Sequence, residues 1–182
     1  MQIDVLFAFL TSVFFLTLSP GPDIIYVFYK SLTSGFKEAA KLSIGLTSGL
    51  LIHTLFVSIG ISNLIKSNQV YFDLIKYFGF IYFAYLAFSQ FFKKNRGDKK
   101  KNEIKNSFLT GLLMNLLNPK VSIFFIAFLP AFIFHNSLDI ELQFMILGLI
   151  FWFVATLIFV SISLMSSNFK TLFKKYINYK SI

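Results

Sequence analysis

Five stretches of the chain, at 5–29, 42–65, 70–92, 107–134 and 142–165, are almost wholly apolar. Each exceeds the about 20 residues that an α-helix needs to cross the hydrocarbon core of a bilayer. The runs are continuous (FFLTL, LFVSIGI, FIYFAYLAF, IFFIAFL, LIFWFVATLIFV) rather than alternating. Continuity favours helices over the alternating strands of about ten residues that build a membrane barrel. After the fifth stretch, Phe169, Leu172, Phe173, Tyr176 and Ile177 recur at helical spacing with lysines between them. That pattern predicts an amphipathic helix lying on the membrane surface. The expected fold is an all-α polytopic membrane protein with five transmembrane helices and a C-terminal amphipathic helix.

One long hydrophilic segment, Lys93–Asn106 (KKNRGDKKKNEIKN), interrupts this series and reads as a flexible cytoplasmic loop. It divides the chain into 1–92 and 107–182. Each half opens with a span broken by proline, LTLSPGPDIIYVF in the first and LLMNLLNPKVSIFF in the second. Three spans precede the loop, so the second half starts from the opposite side of the membrane. Odd-numbered halves with matching broken helices are the sign of an inverted repeat, common in secondary transporters. The repeat is an incomplete 3+3, because the second half holds two spans and the basic tail in place of a third.

Composition supports this and adds an orientation. Hydrophobic residues make up 56% of the chain and charged residues 14%, against about 45–50% and about 25% in soluble domains. Only Asp23, Asp73, Lys76 and Lys120 carry charge inside the five stretches. Such segregation excludes a soluble enzyme, a disordered chain and a nucleic-acid module. The net charge of +9 is distributed by loop: three lysines in 30–41, seven basic residues in 93–105 and four in the tail. The turn at 66–69 has Lys66 alone, and 135–141 has no Lys or Arg. By the positive-inside rule the N-terminus lies outside and the tail in the cytoplasm. No Lys or Arg precedes Lys30, so the first stretch is expected to be a span and not a cleaved signal. Cysteine is absent, which removes disulfides and thiolate metal sites.

Ser19-Pro20-Gly21-Pro22-Asp23 is the most informative element. Two prolines around a glycine unwind the span, freeing backbone carbonyls and a half-helix N-terminus for a ligand. A carboxylate inside the membrane costs about 2.5–3.5 kcal/mol on insertion scales, so Asp23 needs a partner or a watery cavity. The bland reading is a proline kink with Asp23 capping the half-helix that follows. Asn118-Pro119-Lys120, preceded by Asn115, makes the second break, and Lys120 is the one basic residue deep in a span. It lies roughly 20 Å along the helix from Ser107, too far for easy snorkelling. Asp23 and Lys120 would offset one another's burial as a pair. Since Asp23 stands only about 10 Å from the cytoplasmic side, direct contact requires the breaks to shift the helices axially.

His53, mid-span, is either a hydrogen-bonded link between helices or a proton relay. Gly45-xxx-Gly49 permits close helix approach, with substrate clearance as a second use. Asp73 and Lys76 are spaced to pair near the outer end of the third span. Nucleotide-binding and hydrolase motifs (GxxxxGK[ST], HExxH, GxSxG) are absent, so neither an ATP-driven pump nor an enzyme is expected, and no cofactor.

With both breaks in view, the chain resembles the LysE/RhtB family of amino-acid exporters. The matching residues are Ser19–Asp23, Gly45-Leu-Thr-Ser-Gly49 with His53, Phe108-Leu-Thr-Gly111, and Asn115-Leu-Leu-Asn-Pro-Lys120 running on to Phe128-Leu-Pro-Ala-Phe132. The resemblance implies a six-helix carrier of the inner membrane that exports amino acids or their derivatives, driven by the proton or ion gradient. It carries over Pro20, Gly21, Pro22, Asp23, Asn118, Pro119 and Lys120 as motif residues. The expected substrate site is Asp23, Lys120, Asn118, Asn115, Ser19 and Gly21, with Pro20, Pro22 and Pro119 as helix breaks and His53 as the relay candidate. The expected partners are a small amino-acid substrate and the lipid bilayer. Tyr176–Ile182 looks like the approach to the family's sixth helix, so the chain is expected to lack it. The alternatives are a truncated carrier or a five-span form completed by a second copy. Two other readings remain: a metal-cation exporter, for which a lone aspartate is a poor ligand set, and a non-transporting membrane protein.

Overall fold

Helices account for the regular structure of the computed structural model, which describes residues 3–67, 69–92 and 106–180. In chain order they are α1 (Ile3–Leu18), α2 (Pro22–Ser34), α3 (Phe36–Ser67), α4 (Gln69–Phe92), α5 (Ser107–Leu116), α6 (Pro119–Ile123) and α7 (Ile140–Lys180). Between α6 and α7 the chain passes through a π-helical segment, Phe124–Phe128, and a 3-10 turn, Leu129–Phe132. Among the described residues, two uninterrupted runs are long and apolar enough to cross a bilayer, Phe36–Asn63 with 28 residues and Ile140–Asn168 with 29. Two further candidates are bent pairs: α1 with α2, at 56°, and α5 with the segment Pro119–Phe132, at 48°. The α-helical membrane architecture is therefore as expected, with breaks in the first and fourth stretches. α4 covers the third stretch as one helix of 24 residues.

Helix ends fall where local chemistry requires them. Gly35 takes a left-handed φ of 85°, open to glycine at little cost, and its N–H bonds Ser31 O at 3.0 Å to close α2. The Asn106 side chain accepts from Leu109 N at 3.2 Å and caps α5. α3 begins six residues before the apolar stretch that predicted it, because its first turns are polar and lie outside any hydropathy run. α7 runs unbroken to Lys180, so the tail continues the last span rather than forming a separate helix. The side chains of 169–182, which carry the amphipathic expectation, lie outside the described residues, as do the loop at 93–105 and the Lys76 side chain.

α3 is the spine, packed along both α5 and α7. Small residues allow this: a Cβ on Gly45 would collide with the Phe108 backbone, one on Gly111 with the Leu42 carbonyl, and one on Gly148 with the Thr54 side chain. Close backbone approach through glycine is how helices gain packing where lipid offers no hydrophobic drive. Phe9, Val13, Val27, Leu42, Leu46, Leu50, Phe124, Phe125, Phe144, Leu147 and Phe151 form the buried core. Phe56, Ile59, Tyr77, Phe78, Phe80 and Phe153 stand exposed, the exterior of a lipid-embedded bundle.

Buried serines tie three of the helices together. Ser31 Oγ donates to Ser163 O at 2.6 Å, and the Ser43 and Ser163 hydroxyls meet at 3.0 Å, joining α2, α3 and α7. Elsewhere the fully buried Gln143 fixes the connection before α7. Its Oε1 accepts from Phe134 N and His135 N at 2.9 and 3.0 Å. Its Nε2 donates to His135 O and Leu138 O at 2.8 and 2.9 Å.

Candidate functional site

α1 ends because Pro20 cannot donate a backbone hydrogen bond. Its last turn closes with Ser19 N bonding Phe15 O at 2.8 Å, and the Ser19 hydroxyl donates to Leu16 O at 3.0 Å. Gly21 is extended (φ −162°, ψ 173°), and Pro22 opens α2 at the position where its missing N–H matters least. At the second break, Asn118 caps α6: its Oδ1 accepts from Lys120 N at 3.0 Å, with Pro119 at the first helical position. The same amide then reaches across the bundle, where Asn118 Nδ2 donates to Asp23 Oδ2 at 2.6 Å.

Lys120 points to the first break as well. Its ammonium donates to Leu16 O at 2.7 Å, to the Ser19 hydroxyl at 2.8 Å and to Ser19 O at 3.3 Å. These are groups at the C-terminal end of α1, where a cation suits the negative end of the helix dipole. Snorkelling is thereby replaced by an internal partner. The expected direct ion pair does not form: Asp23 and Lys120 are joined through Asn118. The physical reason is reach. The breaks lie side by side, and the carbonyls closing α1 take the ammonium before the carboxylate does. Asp23 does not cap α2 either; Gly21 holds the cap position, with no side-chain bond to the first turn.

Between the breaks lies a cavity of about 20 Å³, room for about one water molecule. Leu16, Thr17, Ser19, Asp23, Ile24, Leu50, Asn115, Lys120, Val121, Phe151, Ala155 and Phe159 line it. Asp23 is 6% exposed and Asn115 2%, and each has one oxygen, Oδ1, without a hydrogen-bond donor. Asn115 fits because Gly49 has no side chain; a Cβ there would collide with the Asn115 amide. Gly49 thus clears space for the site, while Gly45 sets the helix approach.

Of the residues expected at the site, Ser19, Asp23, Asn115 and Lys120 share the cavity wall. Asn118 stands behind it, bonded to Asp23. Gly21 touches the site from the side, its added Cβ lying 3.5 Å from Lys120 Nζ. Pro20, Pro22 and Pro119 shape the two breaks without lining the cavity. His53 is outside the wall: its ring stacks on Phe125 at 5.5 Å and its Nε2 is buried with no partner. It also hydrogen-bonds the Asn115 backbone, the link between helices expected of it. Thr17, Ile24 and the α7 residues Phe151, Ala155 and Phe159 were not foreseen, since nothing in an apolar run marks which residue faces a cavity. Among the described residues no group of three or more His, Cys, Asp or Glu is placed to hold a metal.

Known proteins resemble this chain in sequence. A family model described as LysE type translocator matches residues 14–182. An uncharacterized membrane protein, YrhP, of Bacillus subtilis (strain 168) is 31% identical over 167 residues, 85% of this chain and 79% of that protein. A homoserine/homoserine lactone efflux protein of Salmonella typhi is 31% identical over 146 residues, 78% of this chain and 70% of that one. No solved structure matches.

Proposed function

The chain belongs to the LysE type translocator family, and from that premise we propose that it exports amino acids or their derivatives across the cytoplasmic membrane. Homoserine-like compounds are the first candidates, by similarity to the Salmonella typhi efflux protein. Export is driven by the proton or an ion gradient, consistent with a sequence that has no nucleotide-binding motif. The N-terminus faces outward and the basic loops face the cytoplasm, on the distribution of lysine.

The observation that carries this reading is Asp23: a carboxylate buried where two broken helices meet, on the wall of a small pocket and with one oxygen unpartnered. Asp23 anchors the cationic end of the substrate. Lys120 locks the second break to the first through its ammonium, which bonds Leu16 O and Ser19, and its positive charge stands on the same wall as Asp23. The uncapped start of α2 offers its positive dipole end to a substrate carboxylate. A pocket with room for about one water molecule does not hold an amino acid, so the breaks must part to admit one.

The test is export from cells that express the protein and are loaded with labelled amino acids, homoserine first. Asp23→Asn is expected to abolish efflux while leaving membrane insertion and yield unchanged. Unchanged efflux of every amino acid tested would overturn the mechanism.

A further inference from the structure

α2 contributes Asp23 and Ile24 to the pocket wall, yet it is a short helix set between two bends. At one end the backbone of 19–21 is unwound; at the other, Gly35 turns the chain into α3 with its left-handed φ of 85°. One face of α2 is buried, by Asp23, Val27 and Ser31 at successive turns. On the opposite face Ile25, Phe28 and Tyr29 stand exposed, leaving room for the helix to move outward. The pocket end of α2 is pinned. Asp23 Oδ2 accepts from Asn118, and the end of α1 just before it is bound by the Lys120 ammonium.

The far end is held differently. Thr17, Thr54 and Thr156 bond back to carbonyls of their own helices, a common habit of hydroxyls in helix interiors. Ser31, wholly buried, instead donates across to Ser163 O on α7 at 2.6 Å. The Ser163 hydroxyl meets Ser43 on α3 at 3.0 Å and donates to Phe159 O at 2.8 Å. Phe159 is a wall residue of the pocket. These serines therefore stand one turn beyond it, toward the end of the bundle that carries Lys30, Lys37 and Lys41. Ser31 lies eight residues from Asp23, roughly 12 Å along α2. We propose that α2 is the cytoplasmic gate of the pocket and that the Ser31 hydroxyl latches it shut. The helix swings outward about residues 19–21, freeing the face of Val27 and Ser31, while Asp23 stays with Asn118. The swing is shared by three residues and needs no left-handed φ at Gly21. The side of entry rests on the export reading above, in which the lysine-rich end faces the cytoplasm. One neutral hydrogen bond closes such a gate and can still be broken in every cycle.

The chain has no cysteine, so a single introduced cysteine is an unambiguous reporter. Val27→Cys sits on the buried face of α2 between Asp23 and Ser31. Leu147→Cys is the control, wholly buried on α7 one turn beyond Phe151 and away from the serines. Each is treated with a membrane-impermeant maleimide in inverted membrane vesicles, which expose the cytoplasmic face, and in right-side-out vesicles. Val27→Cys is expected to label from the cytoplasmic face only, and Leu147→Cys not from that face. Adding Ser31→Ala is expected to speed labelling of Val27→Cys at least about fivefold and to leave Leu147→Cys unchanged. Ser31→Thr, which keeps a hydroxyl, is expected to stay near the original rate. So is Ser163→Ala, since the latch is accepted by the backbone at that position. Unchanged labelling of Val27→Cys in Ser31→Ala overturns the latch, as does equal acceleration at both reporters, which marks general loosening. Labelling of Val27→Cys from the outer face, or none from the cytoplasmic face, overturns the gate, and this arm decides alone should Ser31→Ala fail to fold. Labelling requires no transport, so a latch-dependent gate with no efflux of any amino acid defeats the export reading instead.

Discussion

At the first break, from Leu18 to Pro22, the chain presents oxygen: Leu16 O, Ser19 O, the Ser19 hydroxyl and the Asp23 carboxylate. At the second, around Asn118, it presents N–H: the Asn118 amide and the Lys120 ammonium, both aimed at the first. The two breaks bend their helices by similar angles, 56° and 48°, and both place proline at the start of the new helix. Their polarity is nonetheless opposite. A proline break by itself frees carbonyls at the end of one helix and N–H groups at the start of the next. Only side chains decide which becomes the acceptor half and which the donor half. Asn118 also satisfies its own helix start, whereas the first break leaves the start of α2 uncapped. The break that is complete in itself supports the other; the one left open is where the proposed substrate would bind.

Reversing the polarity gives the largest effect. In the double variant Asp23→Asn with Asn118→Asp, the bond between the two side chains and the cap on Lys120 N are both retained, with the charge moved behind the cavity wall. Stability is expected to recover relative to Asn118→Asp alone, which sets two carboxylates face to face. Export is expected to stay lost, because position 118 does not line the cavity. Recovery of efflux in the double variant would show that the side on which the charge sits does not matter.

Removing the donor half comes next. Lys120→Met leaves Leu16 O and Ser19 without their partner, at about 1.5–3 kcal/mol for a lost charged hydrogen bond. Thermal unfolding of the detergent-purified protein is expected to shift down accordingly. Gly49→Ala is expected to cost about 1–3 kcal/mol by overpacking and to displace Asn115, weakening homoserine binding more than maximal flux. Smallest is Gly21→Ala. Gly21 has extended backbone, and an added Cβ meets only ordinary contacts at 3.5 and 3.8 Å, so both stability and efflux are expected to stay within about 0.5 kcal/mol of the unmodified chain. A large loss would mean that this glycine contacts substrate directly or must change conformation during transport.

The breaks were legible because proline announces them, and the polar candidates because charge and amide are conspicuous in apolar sequence. The start of α5 at Ser107 was legible for the same kind of reason, a polar cap before an apolar run. The partner of Lys120 was not. It is backbone carbonyl, present at every residue, and which carbonyl is free depends on where α1 stops. Nor was the π segment at Phe124–Phe128 foreseen. Its register follows from how Phe124, Phe125 and Phe128 stack among themselves and on Phe151 and His53, a packing property with no periodic signature. Gly35, which ends α2, was passed over because the sequence around it reads as loop.

Gln143 carries no charge, lies in no motif and does not line the cavity, yet both donors and both lone pairs of its amide are in use. Glutamate has no N–H to give, leucine no polar atom, and asparagine lacks the length to reach from α7. In a scan of every substitution along the chain, position 143 is therefore expected to be among the least tolerant, beside Asp23 and Lys120. The pattern of tolerated change would separate it from Asp23, because a lost strut reduces the amount of protein and a lost ligand group reduces flux at normal amount.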